Sequence, residues 1–210
     1  MKNSFFKFLV LCLLSILINT ILSELLHIKE LIYSSLSEQL TSRQIEQYFE
    51  FQDKWQWLSY IFVPVMLLIK TTLISSVIYI GIFFFSKIPI TFKQLWYYVI
   101  TAESVFLLVP LFKIIRFYFF QTNYTLEDIQ SFYPLSALNI VGHKGLEPWL
   151  IYPFQILNLF ELAYWLVLAY FIGKITETNM DRGLKIVASS YGSALLLWVT
   201  MIMFFTLNYS

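Results

Sequence analysis

Five long apolar stretches run through this chain of 210 residues, and they constrain its fold more than any other feature. A bilayer core is about 30 Å thick, so a helix of roughly 20 apolar residues crosses it. The stretches are residues 5–23, 57–85, 92–112, 149–173 and 184–207. Only 13% of the residues are charged, whereas a soluble domain carries about a quarter. The sequence therefore predicts an all-α, polytopic membrane bundle with about five transmembrane helices.

The composition also limits which partners and how many domains are expected. The formal net charge is only +1 and the chain contains no run of Lys or Arg, so a nucleic-acid partner is not expected. No internal repeat or low-complexity linker divides the sequence. We therefore expect a single integral membrane domain over residues 1–210, surrounded by the lipid bilayer.

The first apolar stretch has two interpretations. Lys2 and Lys7 precede an apolar core, as they would in a secretory signal peptide. A signal peptide also needs a cleavage site of the A-x-A type, and residues 18–23 contain no convincing one. An uncleaved transmembrane helix is the favoured interpretation.

Positive charges indicate the orientation, because cytoplasmic loops are enriched in Lys and Arg. Three short segments carry such residues, namely Lys2 and Lys7, Lys87 and Lys93, and Lys174, Arg182 and Lys185. The acidic segment 24–56 is placed outside. The N-terminus is then cytoplasmic and the C-terminus outside, and a composition rich in Lys, Asn, Ile and Phe favours a bacterial inner membrane.

Two segments between the spans contain helix signals. Thr41, with Gln44 three residues later, resembles a capping box, and apolar residues follow at helical spacing. We expect an amphipathic external helix there that leads into the second span. Thr125 and Asp128 predict a similar helix start for residues 126–138 on the membrane surface, with a break or bend at Pro134.

Three ionisable residues lie near the centres of three different spans. Lys70 is in the second span, Glu103 in the third and Glu161 in the fourth. A charge at a helix centre costs on the order of 2.5 to 3.5 kcal/mol on insertion scales, so these side chains should face one another or a wet cavity. We expect Lys70 to pair with one carboxylate. The other then finds a polar donor or takes up a proton, because burial disfavours its charged form.

Polar residues of the fourth span share one face. Gln155, Asn158, Glu161 and Trp165 recur at spacings of three, three and four, which places them on a single helical stripe. This stripe is expected to point into the bundle. Pro153 is interpreted as a kink near the span's end and not as a sign of a broken transporter helix.

The charged layer has two interpretations. A buried ion pair that fixes helix register is favoured, because the polar residues form one layer instead of a continuous path. A proton or ion relay stays open, since ionisable residues inside membranes are functional candidates by default.

Residues for catalysis or metal binding are scarce. His27 and His143 both lie between spans, and the single cysteine, Cys12, is isolated in the first apolar stretch. The serines Ser189, Ser190 and Ser193 have no histidine in neighbouring spans to serve as a base. We expect no metal, no cofactor and no enzymatic activity.

From the second span onward, the order of several segments resembles the Yip1-like family of five-span membrane proteins. These segments are residues 92–95 with Ala102 and Pro110, the stretch LNLFELAYW at 157–165, and Gly183-Leu184-Lys185 opening the last span. The resemblance covers about two thirds of the chain. It implies a membrane bundle without catalytic residues and, as for eukaryotic members, a non-catalytic role in membrane trafficking. Lys70 and the long acidic first loop depart from the family's pattern.

These observations predict a non-enzymatic inner-membrane protein that acts as an accessory or scaffold subunit of a membrane complex or of an export or trafficking system. The expected partner is another membrane protein, and a homo-oligomer is a further possibility. The alternative is a small transporter or proton-coupled permease that uses Lys70, Glu103 and Glu161.

Overall fold

The computed structural model describes residues 3–85 and 89–209, without the side chain of Tyr209. Lys2 and Lys87, two of the charges used to predict the orientation, lie outside the described residues. Over the described ranges the protein is all-helical and has no β-strand. The helices are α1 Ser4–Leu25, α2 Ile28–Ser37, α3 Ser42–Phe85, α4 Phe92–Glu103, α5 Leu108–Ile115, α6 Leu126–Ser131, α7 Ala137–Val141, α8 Pro148–Ile156, α9 Leu159–Ile175, α10 Met180–Val187 and α11 Ser193–Tyr209.

Four helical segments of the described chain are long and apolar enough to cross a membrane, which makes this a helical membrane protein. They are Ser4–Leu25, Ser42–Phe85, Phe92–Phe120 and Met180–Asn208. The third contains the 3₁₀ turn Ser104–Leu107 and ends in the π turn Arg116–Phe120, and the fourth contains the π turn Ala188–Gly192. They overlap the first, second, third and fifth predicted spans.

The prediction of residues 149–173 as one continuous helix is wrong. Helix α8 ends at Ile156 and α9 begins at Leu159, so the helix is interrupted at Leu157 and Asn158. Pro153 lies inside α8, shortly before this interruption. With nine and 17 residues, each piece is shorter than the roughly 20 residues that a bilayer core requires.

Helix α3 has 44 residues and is about 66 Å long at 1.5 Å per residue, which is far more than a bilayer core. At its start, Oε1 of Gln44 accepts hydrogen bonds from the backbone N–H and the hydroxyl of Thr41, at 3.0 and 2.8 Å. Helix α2 packs against this part of α3, where the rings of Tyr33 and Phe49 stack. The segment 24–56 is therefore mostly helical.

The helix predicted over residues 126–138 is shorter than expected. It begins at the predicted capping box, in which Thr125 and Asp128 exchange hydrogen bonds, but it ends at Ser131. Phe132 is extended, and α7 starts only at Ala137. Pro134 lies in the turn between the two helices, in agreement with the predicted break.

The main core lies where α3, α4, α9 and α10 meet, and its buried side chains include Ile78, Val99 and Leu168. A glycine allows the closest approach in this core. A Cβ placed on Gly183 would lie only 2.1 Å from the carbonyl oxygen of Ala169. Helices α9 and α10 therefore contact each other backbone to backbone, which no larger residue at Gly183 permits.

The positively charged segments that the structure describes meet at one end of the bundle. The Ser4 hydroxyl donates to the carbonyl of Lys93 at 3.4 Å, so α1 and α4 begin side by side. The guanidinium of Arg182 donates to the carbonyl of Phe85 at 3.1 Å, which joins the start of α10 to the end of α3.

Candidate functional site

An ion pair joins Lys70 of α3 to Glu103, the last residue of α4. The ammonium of Lys70 donates a hydrogen bond to Oε1 of Glu103. The same ammonium lies 4.2 Å from the centre of the Phe106 ring, which is a cation–π contact. Burial differs sharply between the partners, since the Glu103 side chain is 3% exposed and that of Lys70 is 44% exposed. The lysine therefore stands on the flank of the bundle and its carboxylate partner inside it.

The third charged residue, Glu161, takes no part in this ion pair. Its Oε1 accepts hydrogen bonds from the Tyr191 hydroxyl at 2.8 Å and from Nε1 of Trp165 at 3.0 Å. Glu161 lies in the first turn of α9, where Asn158 caps the helix by accepting from the Glu161 backbone N–H at 2.8 Å. A helix N-terminus favours negative charge. Polar donors therefore stabilise the carboxylate that Lys70 leaves unpaired.

The interruption before α9 puts Glu161 at a helix start. Leu157 forms a tight turn in which the Asn158 N–H donates to the carbonyl of Ile156 at 2.8 Å. The segment before α7 supplies the missing backbone partners. The N–H of Ala137 donates to Leu157 at 2.8 Å, and the N–H of Leu159 donates to Leu135 at 3.1 Å. Non-helical backbone at membrane depth needs such internal partners.

The predicted polar stripe is divided by the same interruption. Asn158, Glu161 and Trp165 belong to the start of α9, as cap, carboxylate and donor. Gln155 belongs to α8, and its backbone carbonyl accepts from the side chain of Asn158 at 2.8 Å. A single helical stripe of four residues is therefore wrong, because Gln155 is on a different helix.

Two buried oxygen atoms lie in the layer between the ion pair and Glu161. Neither Oε2 of Glu103 nor the hydroxyl of Tyr164 has a hydrogen bond of normal geometry to a residue that the structure describes. Tyr164 is still close enough to Glu103, Glu161 and Tyr191 to interact with them electrostatically. The layer thus combines two carboxylates, one ammonium and two tyrosine hydroxyls.

Three residues of this site, Tyr164, Tyr191 and Phe106, were missed from the sequence. Tyr191 lies in a stretch of small residues whose only expected role is helix packing, and Phe106 is one of 21 phenylalanines. A signal for Tyr191 exists, since a hydroxyl within an apolar span needs an acceptor and Glu161 is an unpaired acceptor at similar depth.

The described residues contain no group of three or more His, Cys, Asp and Glu side chains that could hold a metal ion. Both histidines lie at the periphery. Nδ1 of His27 is 3.4 Å from Glu30, and Nε2 of His143 is 3.3 Å from Glu127. Cys12 is buried in a small core between α1 and α4.

An open cleft of about 190 Å³ lies near His143. Its walls combine the rings of Phe117 and Phe132 with polar side chains that include Asp128 and Asn139. It shares no residue with the charged layer and is a separate feature of the segment around α6 and α7.

Comparisons with protein families, with curated proteins and with solved structures found no match to this chain.

Proposed function

We propose that this protein is a non-enzymatic, multi-pass protein of a bacterial inner membrane that serves as an accessory or scaffold subunit of a membrane complex or of an export or trafficking system. The observation that carries this proposal is the position of Lys70, which is charged, close to the middle of a span, and 44% exposed on the flank of the bundle.

An exposed ammonium at this depth is unfavourable in lipid. A bilayer core offers no water to the N–H groups of Lys70 that point away from Glu103, and charged residues inside membranes therefore face protein or a wet cavity. A second membrane protein against this flank would remove the ammonium from lipid. The exposed position of Lys70 is therefore explained if the protein is a subunit whose flank is covered by another protein in a complex.

Two further observations support a role without catalysis. His27 and His143 are engaged with glutamates, and the hydroxyls of Ser189, Ser190 and Ser193 donate to backbone carbonyls one turn earlier in their own helix. The resemblance to the Yip1-like family, whose eukaryotic members act as non-catalytic partners, agrees with an accessory role. Membership of that family is part of the proposal.

We place the N-terminus in the cytoplasm and the C-terminus outside, with α8 and α9 together making the fifth crossing, because the end of the bundle that carries Lys93 and Arg182 is the positively charged one. Cysteines at Ser37 and Glu177, each in a Cys12→Ala background, would test this with a membrane-impermeant thiol reagent. Intact cells should label Ser37→Cys and not Glu177→Cys. The reverse pattern would contradict the orientation.

The accessory role is tested by the composition of the purified protein. The tagged full chain is extracted from its native membrane in a mild detergent, and its mass is measured by native mass spectrometry. We expect a second membrane polypeptide in fixed ratio to the 24.9 kDa chain. A monomer, or a multiple of the same mass, would contradict a subunit of a larger complex.

A second candidate, a small transporter or proton-coupled permease, is favoured by the interruption at Leu157 and Asn158. Discontinuous helices near the membrane centre are typical of transporter binding sites, and Glu161 lies one turn after this interruption. Proteoliposomes with an imposed pH gradient test it. Proton uptake that disappears in Glu161→Gln while the variant stays folded would favour transport, and equal leakage in both proteins would exclude it.

A further inference from the structure

Helix α3 carries an apolar stripe on its outer face that no described part of the chain covers. Its members, which we call the α3 stripe, are exposed to between 48% and 76% and are Phe62, Met66, Ile69, Leu73, Ile80 and Phe83. Ser76 fills the position between Leu73 and Ile80. The spacings then alternate between four and three residues, which is the heptad pattern of a helix that packs against another helix in a left-handed pair.

Lys70 lies beside this stripe, directly after Ile69. In a heptad, that position flanks the seam between two helices and faces the partner's flanking residues. Apolar side chains such as Leu73, which is 61% exposed, are equally at home in lipid. The ammonium of Lys70 is poorly accommodated by lipid. It is therefore the feature of this face that favours contact with a protein over contact with lipid.

The chemistry of Lys70 defines what the partner must supply. An ammonium has three N–H donors, and among the described residues only Glu103 accepts a hydrogen bond from it. The charge of Lys70 is already balanced by Glu103, so a neutral acceptor is sufficient. A second copy in parallel register would place Val65 and Thr72, the flanking residues on the other side of the seam, near Lys70. Val65 has no side-chain acceptor, and Thr72 has only a hydroxyl, which is a weaker acceptor than an amide or carboxylate oxygen.

We propose that the α3 stripe is the docking face for a transmembrane helix of a different protein, and that this helix carries an amide or carboxylate side chain level with Lys70. This inference rests on the proposed accessory function and adds the chemistry of the partner. The apolar seam supplies packing, and the acceptor side chain completes the hydrogen bonding of the ammonium.

A designed peptide tests this without knowledge of the natural partner. The probes are two leucine-rich transmembrane peptides with asparagine or leucine at the centre, which are side chains of nearly equal size. The full-length protein is labelled at Glu177→Cys in a Cys12→Ala background and reconstituted in phosphatidylcholine vesicles. Energy transfer to labelled peptide then reports binding.

The asparagine peptide should bind about tenfold more tightly than the leucine peptide, which is the factor expected from one interhelical hydrogen bond in a bilayer. Lys70→Met should abolish this preference. Leu73→Ala should weaken the binding of both peptides, while Leu197→Ala, at a position of α11 that is 73% exposed, should weaken the binding of neither. If Lys70→Met does not fold, the proposal is still tested by the comparison of the two peptides on the parent protein and by the binding of both peptides to Leu73→Ala.

Equal binding of the two peptides, a preference that survives Lys70→Met, or no binding of either peptide would overturn the inference. Energy transfer between two copies of the protein that excludes the peptide would also overturn it, in favour of a homo-oligomer. A native partner that copurifies while the peptides fail would leave the accessory function in place and reject only the α3 stripe. Peptide binding without any native partner would support the α3 stripe as a docking face and reject the accessory function.

Discussion

The Tyr191 hydroxyl lies 2.8 Å from Oε1 of Glu161, and this hydrogen bond ties the last span to the first turn of α9. Trp165 donates to the same oxygen at 3.0 Å. Together with the helix N-terminus, these donors hold a buried carboxylate without a cation in contact with it. The site therefore consists of an ion pair on the flank and a hydrogen-bonded carboxylate inside.

Removing the Tyr191 hydroxyl tests this arrangement. Tyr191→Phe should lower the free energy of unfolding by about 1.5 to 3 kcal/mol, the usual contribution of a hydrogen bond to a charged group. Unfolding in detergent micelles, followed by circular dichroism, would measure the loss. Tyr118→Phe removes an exposed hydroxyl and should be neutral. Equal stability of the two variants would show that Glu161 does not depend on Tyr191.

The ion pair should respond asymmetrically to loss of its partners. Lys70→Met leaves Glu103 buried and without its cation. The free energy of unfolding should fall by about 3 kcal/mol, which is near the low end for buried ion pairs because Lys70 is half-exposed. Glu103→Gln should cost less, since the glutamine amide oxygen can still accept a hydrogen bond from the Lys70 ammonium. Adding Glu103→Gln to Lys70→Met should restore stability in part.

Glu161→Gln provides the matched control for that rescue. Glu161 is hydrogen-bonded to Tyr191 and Trp165 and not to Lys70, so the double variant with Lys70→Met should remain as unstable as Lys70→Met alone. If Glu161→Gln restored the stability of Lys70→Met as much as Glu103→Gln does, Lys70 would be compensating the charge of both carboxylates.

The proximity of the three charges follows from the sequence, but the geometry of the fourth span does not. Lys70, Glu103 and Glu161 occupy similar depths in their spans, and the cost of burying charge brings such residues together. The break at Leu157 and Asn158 lies inside a mostly apolar run, where Asn158 with Glu161 three residues later is the only local sign of a helix start. It depends on backbone partners some 20 residues earlier in the chain, around Leu135 and Ala137, and no local pattern encodes them.

The exposure of Lys70 was also beyond sequence reasoning. A shared depth predicts that charges meet, but it does not say on which side of a helix each one lies relative to its neighbours. The heptad spacing of the α3 stripe is visible in the sequence, yet apolar residues surround α3 on every side. Only the fold separates the covered face, with Ile74 and Ile78, from the uncovered one.

The close contact between α9 and α10 should make Gly183 intolerant of any side chain. Gly183→Ala would place a Cβ against the backbone of Ala169 and force the helices apart, a cost of about 1 to 3 kcal/mol or more for overpacking. The midpoint of thermal unfolding in detergent would report it. Ser193→Ala, at an exposed position, should leave the midpoint unchanged, and an unchanged midpoint in Gly183→Ala would contradict the packing.

The start of α6 should depend on pH. The backbone N–H and then the hydroxyl of Thr125 hold the pKa of Asp128 below its usual value, because both donate to its carboxylate. A lowered pKa stabilises the folded form above the unfolded pKa of about 4, and that stabilisation is lost as pH falls through the lower folded value.

Hydrogen exchange of residues 126–131 measures this effect. Protection, corrected for intrinsic rates, should fall between pH 5 and pH 3 in the parent protein and should not change in Asp128→Asn. The start of α10 is an internal control, because its cap is the neutral Asn179. The same pH dependence of protection in the parent protein and in Asp128→Asn would show that a group other than Asp128 causes the pH dependence of α6.

The most direct test of the central claim is photo-crosslinking in the native membrane. A photoreactive residue is placed at Leu73 on the α3 stripe or at Leu197 on α11, positions that are 61% and 73% exposed. Light should produce one adduct with a different membrane protein at Leu73 and none at Leu197. The attached peptide should belong to a transmembrane helix with an amide or carboxylate level with Lys70. Adducts with lipid alone at both positions, or with a second copy of this chain at Leu73, would contradict the claim.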